Sequence, residues 1–268
     1  MYKILALDLD GTLTDSNKKI TPKTKETIDR FLEAGYVLAL ASGRPTPGVL
    51  SVAKELELEK YDSYMLSYNG GRIQSCKTGK VISQKTLEED IVEDLFAYAD
   101  ELGIGMISYN KEGIVASMHE DEFIDIEAKI NHLPVVHTED PVALLDEPVN
   151  KCLGTAPVDI APDIEEKFAE RFGDRIGVGR SEPFFIELVP QGVDKAESLE
   201  ILCKSLGCTK ENLVACGDGF NDLSMIEYAG MGVAMANAQD VVKEKADYIT
   251  ASNDEDGVAK VIEKFFEV

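Results

Sequence analysis

Asp8-Leu9-Asp10-Gly11-Thr12 follows directly on the apolar run Ile4-Leu5-Ala6-Leu7, and the reading of that junction decides the fold. A continuous apolar run of this kind suits a short strand buried on both faces. In an extended chain, side chains two apart point the same way, so Asp8 and Asp10 are expected to face one site. Two carboxylates that close repel, which raises a pKa or recruits a cation. Gly11 permits a tight turn whose N–H groups can form an anion-binding nest. An ordinary strand-to-loop turn is the competing reading, but an acid set against the apolar run is not what a turn needs.

The same alternation continues on both sides of a long middle segment. Thr21-Pro22 has the form of a helix start, with Ile28, Phe31 and Leu32 at helical spacing and Gly35 as a stop. Tyr36 to Ala41 reads as a second buried strand, and Val49, Leu50, Val52, Ala53 and Leu56 as the next helix. Tyr64 to Ser67 reads as a third strand ending at Asn69-Gly70-Gly71. After Gly192, a helix through Leu199, Leu202, Cys203 and Leu206 precedes a strand at Leu213 to Cys216. A helix after Asn221, an apolar run Met231 to Met235, a short strand at Tyr248-Ile249 and a helix Val258 to Phe266 complete the pattern. Alternating β and α with apolar strands predicts an α/β fold: a doubly wound, Rossmann-like parallel sheet covered on both faces.

Between Gln84 and Leu188 the pattern changes. Helices at Leu87 to Leu102, Asp121 to Ile130 and Asp163 to Phe172 separate strand-like pieces with polar interruptions. These pieces are Gly105 to Tyr109, Ile114 to Met118, Lys151 to Gly154, Arg175 to Gly179 and Phe184 to Leu188. This predicts an α+β domain with an antiparallel sheet, spanning 84–188, inserted into a core made of 1–83 and 189–268.

In open parallel sheets, ligands sit beyond the carboxyl ends of the strands. Three loops qualify: the first, then Ser42-Gly43-Arg44-Pro45, then Gly217-Asp218-Gly219-Phe220-Asn221-Asp222. Ser42, the Gly43 N–H and a helix start make an oxyanion binder, although a helix-capping turn reads the same way. A cap explains one of the polar residues Asp218, Asn221 and Asp222, not all of them. Several carboxylates in one pocket need a counter-cation, and oxygen-only donors suit Mg²⁺. Arg44 and Asn69, on loops of the same edge, are candidates for touching a substrate.

The bulk composition narrows the partners. The 268 residues carry a formal net charge of -23, which disfavours nucleic acid and anionic membranes. Any phosphorylated ligand would be repelled as well, so its site needs local positive charge. The 5 cysteines are scattered with no C-x-x-C, which fits a reducing cytoplasm better than a disulfide framework or a zinc site. The acids in the N-terminal run exclude a signal peptide or a membrane span there. His119, His132 and His137 have no metal-ligand spacing, and Glu187 reads as a strand-end acid.

Together these stretches resemble the haloacid dehalogenase-like hydrolase (HAD) superfamily. Asp8 to Thr12 is similar to its first motif, Ser42 to its second, Lys195 in Gly192-Val193-Asp194-Lys195 to its third, and Gly217 to Asp222 to its fourth. The inserted segment resembles the large α/β cap of the Cof-type branch. Ala196 departs from the glycine that many Cof-type members carry after the lysine. The resemblance implies a Mg²⁺-dependent phosphatase acting on a small phosphorylated metabolite, such as a sugar phosphate or a phosphorylated cofactor. It implies Asp8 as nucleophile and Asp10 as acid and base. It implies Mg²⁺ held by Asp8, the Asp10 carbonyl and Asp218, with Asp222 supporting the ion or orienting Lys195. It implies a phosphoryl group bound by the N–H groups of Leu9 and Gly43 and by Ser42, Lys195 and Asn221. A phosphomutase using the same aspartate, or a non-catalytic phosphoacceptor or binding protein, stays open at this level. A dinucleotide-binding domain is disfavoured, because Asp222 stands where close helix packing wants a glycine.

Overall fold

The computed structural model describes residues 2–268 and divides into two compact units. The first unit comprises the chain up to Ser83 and Asp194–Val268; the second is Gln84–Val193.

In chain order the first unit opens with β1 (Ile4–Leu7), α1 (Pro22–Glu33), β2 (Val37–Ala41), α2 (Thr46–Glu55), β3 (Tyr64–Ser67), β4 (Arg72–Ser75) and β5 (Val81–Gln84). The second unit contributes α3 (Glu89–Leu102), β6 (Gly105–Tyr109), β7 (Ile114–Ala116), α4 (Glu122–Asn131), β8 (Val135–His137), β9 (Cys152–Thr155), α5 (Ala161–Phe172), β10 (Ile176–Glu182) and β11 (Phe185–Pro190). The chain returns through α6 (Lys195–Ser205), β12 (Leu213–Gly217), α7 (Leu223–Tyr228), β13 (Met231–Ala234), α8 (Asp240–Lys245), β14 (Tyr248–Ile249) and α9 (Gly257–Phe265).

The first sheet has the order β14-β13-β12-β1-β2-β3-β4-β5. β1 lies at its centre, parallel to both β2 and β12, with Ile4 opposite Val37 on one side and Leu213 on the other. Every residue of β1 is buried, because helices cover both faces, which is why its sequence is continuously apolar rather than alternating. Thr21 caps α1 by accepting from the Thr24 N–H, with Pro22 at the first helical position where its missing N–H costs nothing. The parallel order stops at β4, which turns back antiparallel to β3. β4 and β5 lie outside the β–α alternation that made the rest of the sheet legible.

The second unit carries a six-stranded sheet in the order β10-β11-β9-β6-β7-β8. It is antiparallel except for the parallel pair β7 and β8, so the expectation of an antiparallel sheet is corrected at that edge. The strand β8 holds only Val135–His137, too short to show a period in the sequence. Because β11 runs on to Pro190, residues 189–193 stand with the second unit rather than the first.

Candidate active site

β1, β2 and β12 run parallel and side by side, so the loops that follow them emerge at one edge of the first sheet. The backbone ladder continues one step past β1, with the Asp8 N–H donating to the Cys216 carbonyl at 3.0 Å. That bond sets the Asp8 side chain at the end of the buried strand. The Lys195 ammonium donates to Asp8 Oδ1 at 2.7 Å and to Asp222 Oδ1 at 2.6 Å. Lys195 opens α6, whose N-cap Asp194 accepts from the Glu197 N–H. The lysine side chain is 0 % exposed, so this ion network is fully dry on the cation's side.

Asp222 has no idle oxygen. Its Oδ2 accepts from the N–H groups of Asp218 and Gly219, both at 2.9 Å, while Oδ1 takes Lys195. It therefore shapes the loop and aims the lysine. Asp218 is held from the opposite loop by the Thr12 hydroxyl, which donates to its Oδ1 at 2.8 Å. Gly11, at φ +89°, packs so tightly on Asp218 that any Cβ there would run into the carboxylate. Here the glycine serves both a left-handed backbone and a close approach.

Asp8, Asp218 and Asp222 each offer a carboxylate oxygen, and these oxygens lie within 4.8 Å of one another. Burial, then the charge of Asp222, pushes the Asp8 carboxyl up to about 8 against the opposing pull of Lys195. Burial likewise raises Asp218 to about 6, with Thr12 opposing and Asp222 adding to the rise. For Lys195, burial acts to lower the pKa, but Asp222 and Asp8 outweigh it and hold the ammonium firmly protonated. One buried cation thus faces several acids, and the site is short of positive charge. A hard, oxygen-seeking divalent cation fits this donor set, with Asp8 and Asp218 as the carboxylates left to hold it.

Asp10 does not share that cluster. β1 ends at Leu7, so Asp10 lies in the turn beyond the strand, from where its charge adds to the rise at Asp218. Its carboxylate is gripped by Arg44, whose Nε donates to Oδ2 at 2.7 Å and whose Nη2 donates to Oδ1 at 2.6 Å, and by Lys18 Nζ, which donates to Oδ1 at 2.8 Å. Burial works to raise the Asp10 pKa, but the hydrogen bonds and charges of Arg44 and Lys18 overcome it and hold it below the usual range. The Ser42 hydroxyl is buried and accepts from the Arg44 N–H at 3.1 Å. Asn221 donates its amide to Asn69 Oδ1 at 3.0 Å, which joins the loop after β12 to that after β3. Leu9 is buried in the first turn, where its carbonyl accepts from the N–H and hydroxyl of Thr14.

Thr12, Lys18 and Asp194 take part in this site without having been assigned a part from sequence. Thr12 closes the Asp8–Thr12 motif. Lys18 carries no local signal, since it reaches Asp10 through a turn in which its own φ is +59°. Within the second unit, His137 is bonded to the Ser117 carbonyl and His132 ends α4 in a left-handed conformation. Glu187 pairs with Lys151 inside the second unit. The cysteines Cys76, Cys152, Cys203, Cys208 and Cys216 are all free thiols. No helix among the described residues is long and apolar enough to cross a membrane.

Comparison with known proteins gives matches along nearly the whole chain. The sequence model of the haloacid dehalogenase-like hydrolases matches residues 5–262. A crystal structure of a haloacid dehalogenase-like hydrolase from Bacteroides thetaiotaomicron superposes with a TM-score of 0.96 at 44% identity, covering 99% of this chain and 100% of that one. The 5-amino-6-(5-phospho-D-ribitylamino)uracil phosphatase YcsE of Bacillus subtilis is 31% identical over 97% of this chain and 94% of its own. The HAD subclass IIB sugar phosphatase BT4131 has a TM-score of 0.79 at 27% identity, with 98% of each chain covered.

Proposed function

The chain belongs to the haloacid dehalogenase-like hydrolase family, in its Cof-type branch, and is a phosphatase; on that premise we propose that it hydrolyses small phosphate monoesters through a covalent phosphoaspartate on Asp8. The observation that carries this reading is the position of Asp8. It stands at the end of the central strand, 2.7 Å from a buried lysine and within one oxygen cluster with Asp218 and Asp222.

An Asp8 carboxylate oxygen attacks phosphorus, and the bond from phosphorus to the leaving alkoxide breaks. Asp10 gives the alkoxide a proton. Water then attacks the same phosphorus, Asp10 takes a proton from it, and the bond to Asp8 breaks to release inorganic phosphate. Because Arg44 and Lys18 favour the charged form of Asp10, the substrate must loosen that grip before Asp10 acts as an acid. Lys195, the Ser42 hydroxyl, Asn221 and the N–H groups of Leu9 and Gly43 hold the phosphoryl oxygens. Asp222 keeps Lys195 aimed at Asp8. Asp8, the Asp10 carbonyl and Asp218 would hold Mg²⁺, which would supply the positive charge that an anionic nucleophile needs to meet an anionic ester. Two unit charges at about 4 Å repel by roughly 4 kcal/mol at an effective dielectric of about 20, so this neutralisation decides whether attack occurs.

The relatives named as a sugar phosphatase and as a 5-amino-6-(5-phospho-D-ribitylamino)uracil phosphatase support a small phosphate monoester, such as a sugar phosphate or a phosphorylated cofactor, as substrate. Asp8→Asn removes the nucleophile, and turnover of p-nitrophenyl phosphate should fall by roughly 10⁴-fold or more. EDTA should abolish turnover and Mg²⁺ restore it. A variant working at the wild-type rate would rule out Asp8 as the nucleophile.

A further inference from the structure

Three successive residues after β3 have left-handed backbones: Tyr68 at φ +54°, Asn69 at +54° and Gly70 at +94°. A glycine adopts this region freely and an asparagine tolerates it, but a tyrosine there is an outlier held only by its surroundings. The surroundings are parts of the active site. The Tyr68 N–H donates to the Arg44 carbonyl at 3.0 Å, and the Asn69 N–H donates to the Ser42 carbonyl at 2.9 Å. Asn69 Oδ1 accepts from Asn221. Gly70 lies against α6, where an added Cβ would sit 2.5 Å from Ser198 Oγ and 2.8 Å from the Asp194 carbonyl. Those two residues flank Lys195, and the Ser198 hydroxyl donates to the Lys195 carbonyl at 2.7 Å.

We infer that Tyr68-Asn69-Gly70 is a positioning element that sets the phosphoryl-binding loops and the lysine-bearing helix in register, and that Asn69 acts mainly through its backbone rather than by a side-chain contact with substrate. The physical link runs through the peptide between Ser42 and Gly43. All peptides described here are trans, so the Gly43 N–H points opposite to the Ser42 carbonyl. Fixing that carbonyl on Asn69 fixes the direction of the N–H proposed to bind phosphate. The absent side chain of Gly70 lets α6 approach close enough for Lys195 to reach Asp8. The inference rests on the phosphatase reading above.

The test compares Asn69→Gly, Asn69→Val, Gly70→Ala and the double variant Gly70→Ala/Ser198→Gly. Readouts are kcat and KM on p-nitrophenyl phosphate, inhibition by inorganic phosphate, and the rise in Tm on adding MgCl₂. Asn69→Gly keeps a backbone that accepts the left-handed turn, so its loss should be modest. Asn69→Val should lose at least about tenfold more, in both kcat/KM and phosphate affinity, because a β-branched residue resists that conformation. The Mg²⁺-induced rise in Tm should persist in both, since Asp8 and Asp218 are untouched. Gly70→Ala should lose activity, and Ser198→Gly should restore part of it by clearing the collision with Ser198, while that with the Asp194 carbonyl remains. Equal losses in Asn69→Gly and Asn69→Val would overturn the inference in favour of a side-chain contact with substrate, and wild-type behaviour in both would overturn it outright. Should Gly70→Ala fail to fold, the Asn69 pair still decides. Full turnover by Asp8→Asn sinks the phosphatase reading, whereas equal Asn69 losses sink only this one.

Discussion

Each unit buries a lysine beside a carboxylate, and the two sites differ in charge balance. In the second unit Lys151 meets Glu187 at 2.9 Å, and both side chains are largely removed from water. In the first unit Lys195 lies between Asp8 and Asp222, with Asp218 in the same cluster. Among the described residues, no group of this kind gathers in the second unit. A matched buried pair is compatible with a purely structural role, although it adds little stability. An excess of buried acid is different, since it pushes carboxyl pKa values up and destabilises the fold unless a further cation arrives. Folding stability alone would not retain it, which makes the imbalance a mark of function.

Removing each lysine gives the largest expected contrast. Lys195→Ala strands the acids and should cost about 3–5 kcal/mol by chemical denaturation, with p-nitrophenyl phosphate turnover lost. Lys151→Met should cost less, about 1–3 kcal/mol, because Glu187 keeps part of its surface in water. It should leave turnover of the same substrate within a few-fold. Comparable losses of turnover in the two variants would break the comparison.

Asp218→Asn sharpens it through pH. The folded carboxyl is raised from 3.8 to about 6, so between those values the native state binds more protons than the unfolded state. Its contribution to stability therefore falls as pH rises through that window. In metal-free protein, Asp218→Asn should gain in Tm relative to wild type from pH 4 to pH 6 and hold the gain above. The Mg²⁺-induced rise in Tm should shrink or vanish in the variant. A wild type that stays more stable than Asp218→Asn at pH 8 without metal would contradict the strain assigned to the acid cluster.

The smallest effect is expected at Arg175, which pairs on the surface of the second unit with Glu88 and with Asp90. All of these side chains are well exposed, so solvent and salt screen the pairing. Arg175→Ala should leave Tm and turnover indistinguishable from wild type. A clear drop in Tm would show that charge pairs of the second unit carry more stability than their exposure suggests.

The buried strands of the first sheet were legible because parallel strands covered on both faces are apolar throughout, as in Ile4 to Leu7 and Leu213 to Cys216. β4, β5 and β8 were not, being short or half-buried and without a clear period. The acids and Lys195 could be named from their motifs. The turn at Tyr68 could not, because nothing in a tyrosine's chemistry announces a left-handed backbone. Lys18 was equally hidden, since an exposed lysine has no neighbours until the chain folds.

Sequence alone determined which chemical groups are present and at which strand ends they stand, because strand burial and the strand-then-loop order are local properties. The tertiary structure alone decided how those groups divide. It set Asp8 with Lys195 and Asp222, and paired Asp10 with Arg44 and Lys18. The physical reason is that ion pairing depends on distances between loops far apart in the chain, and only the packed sheet fixes those distances.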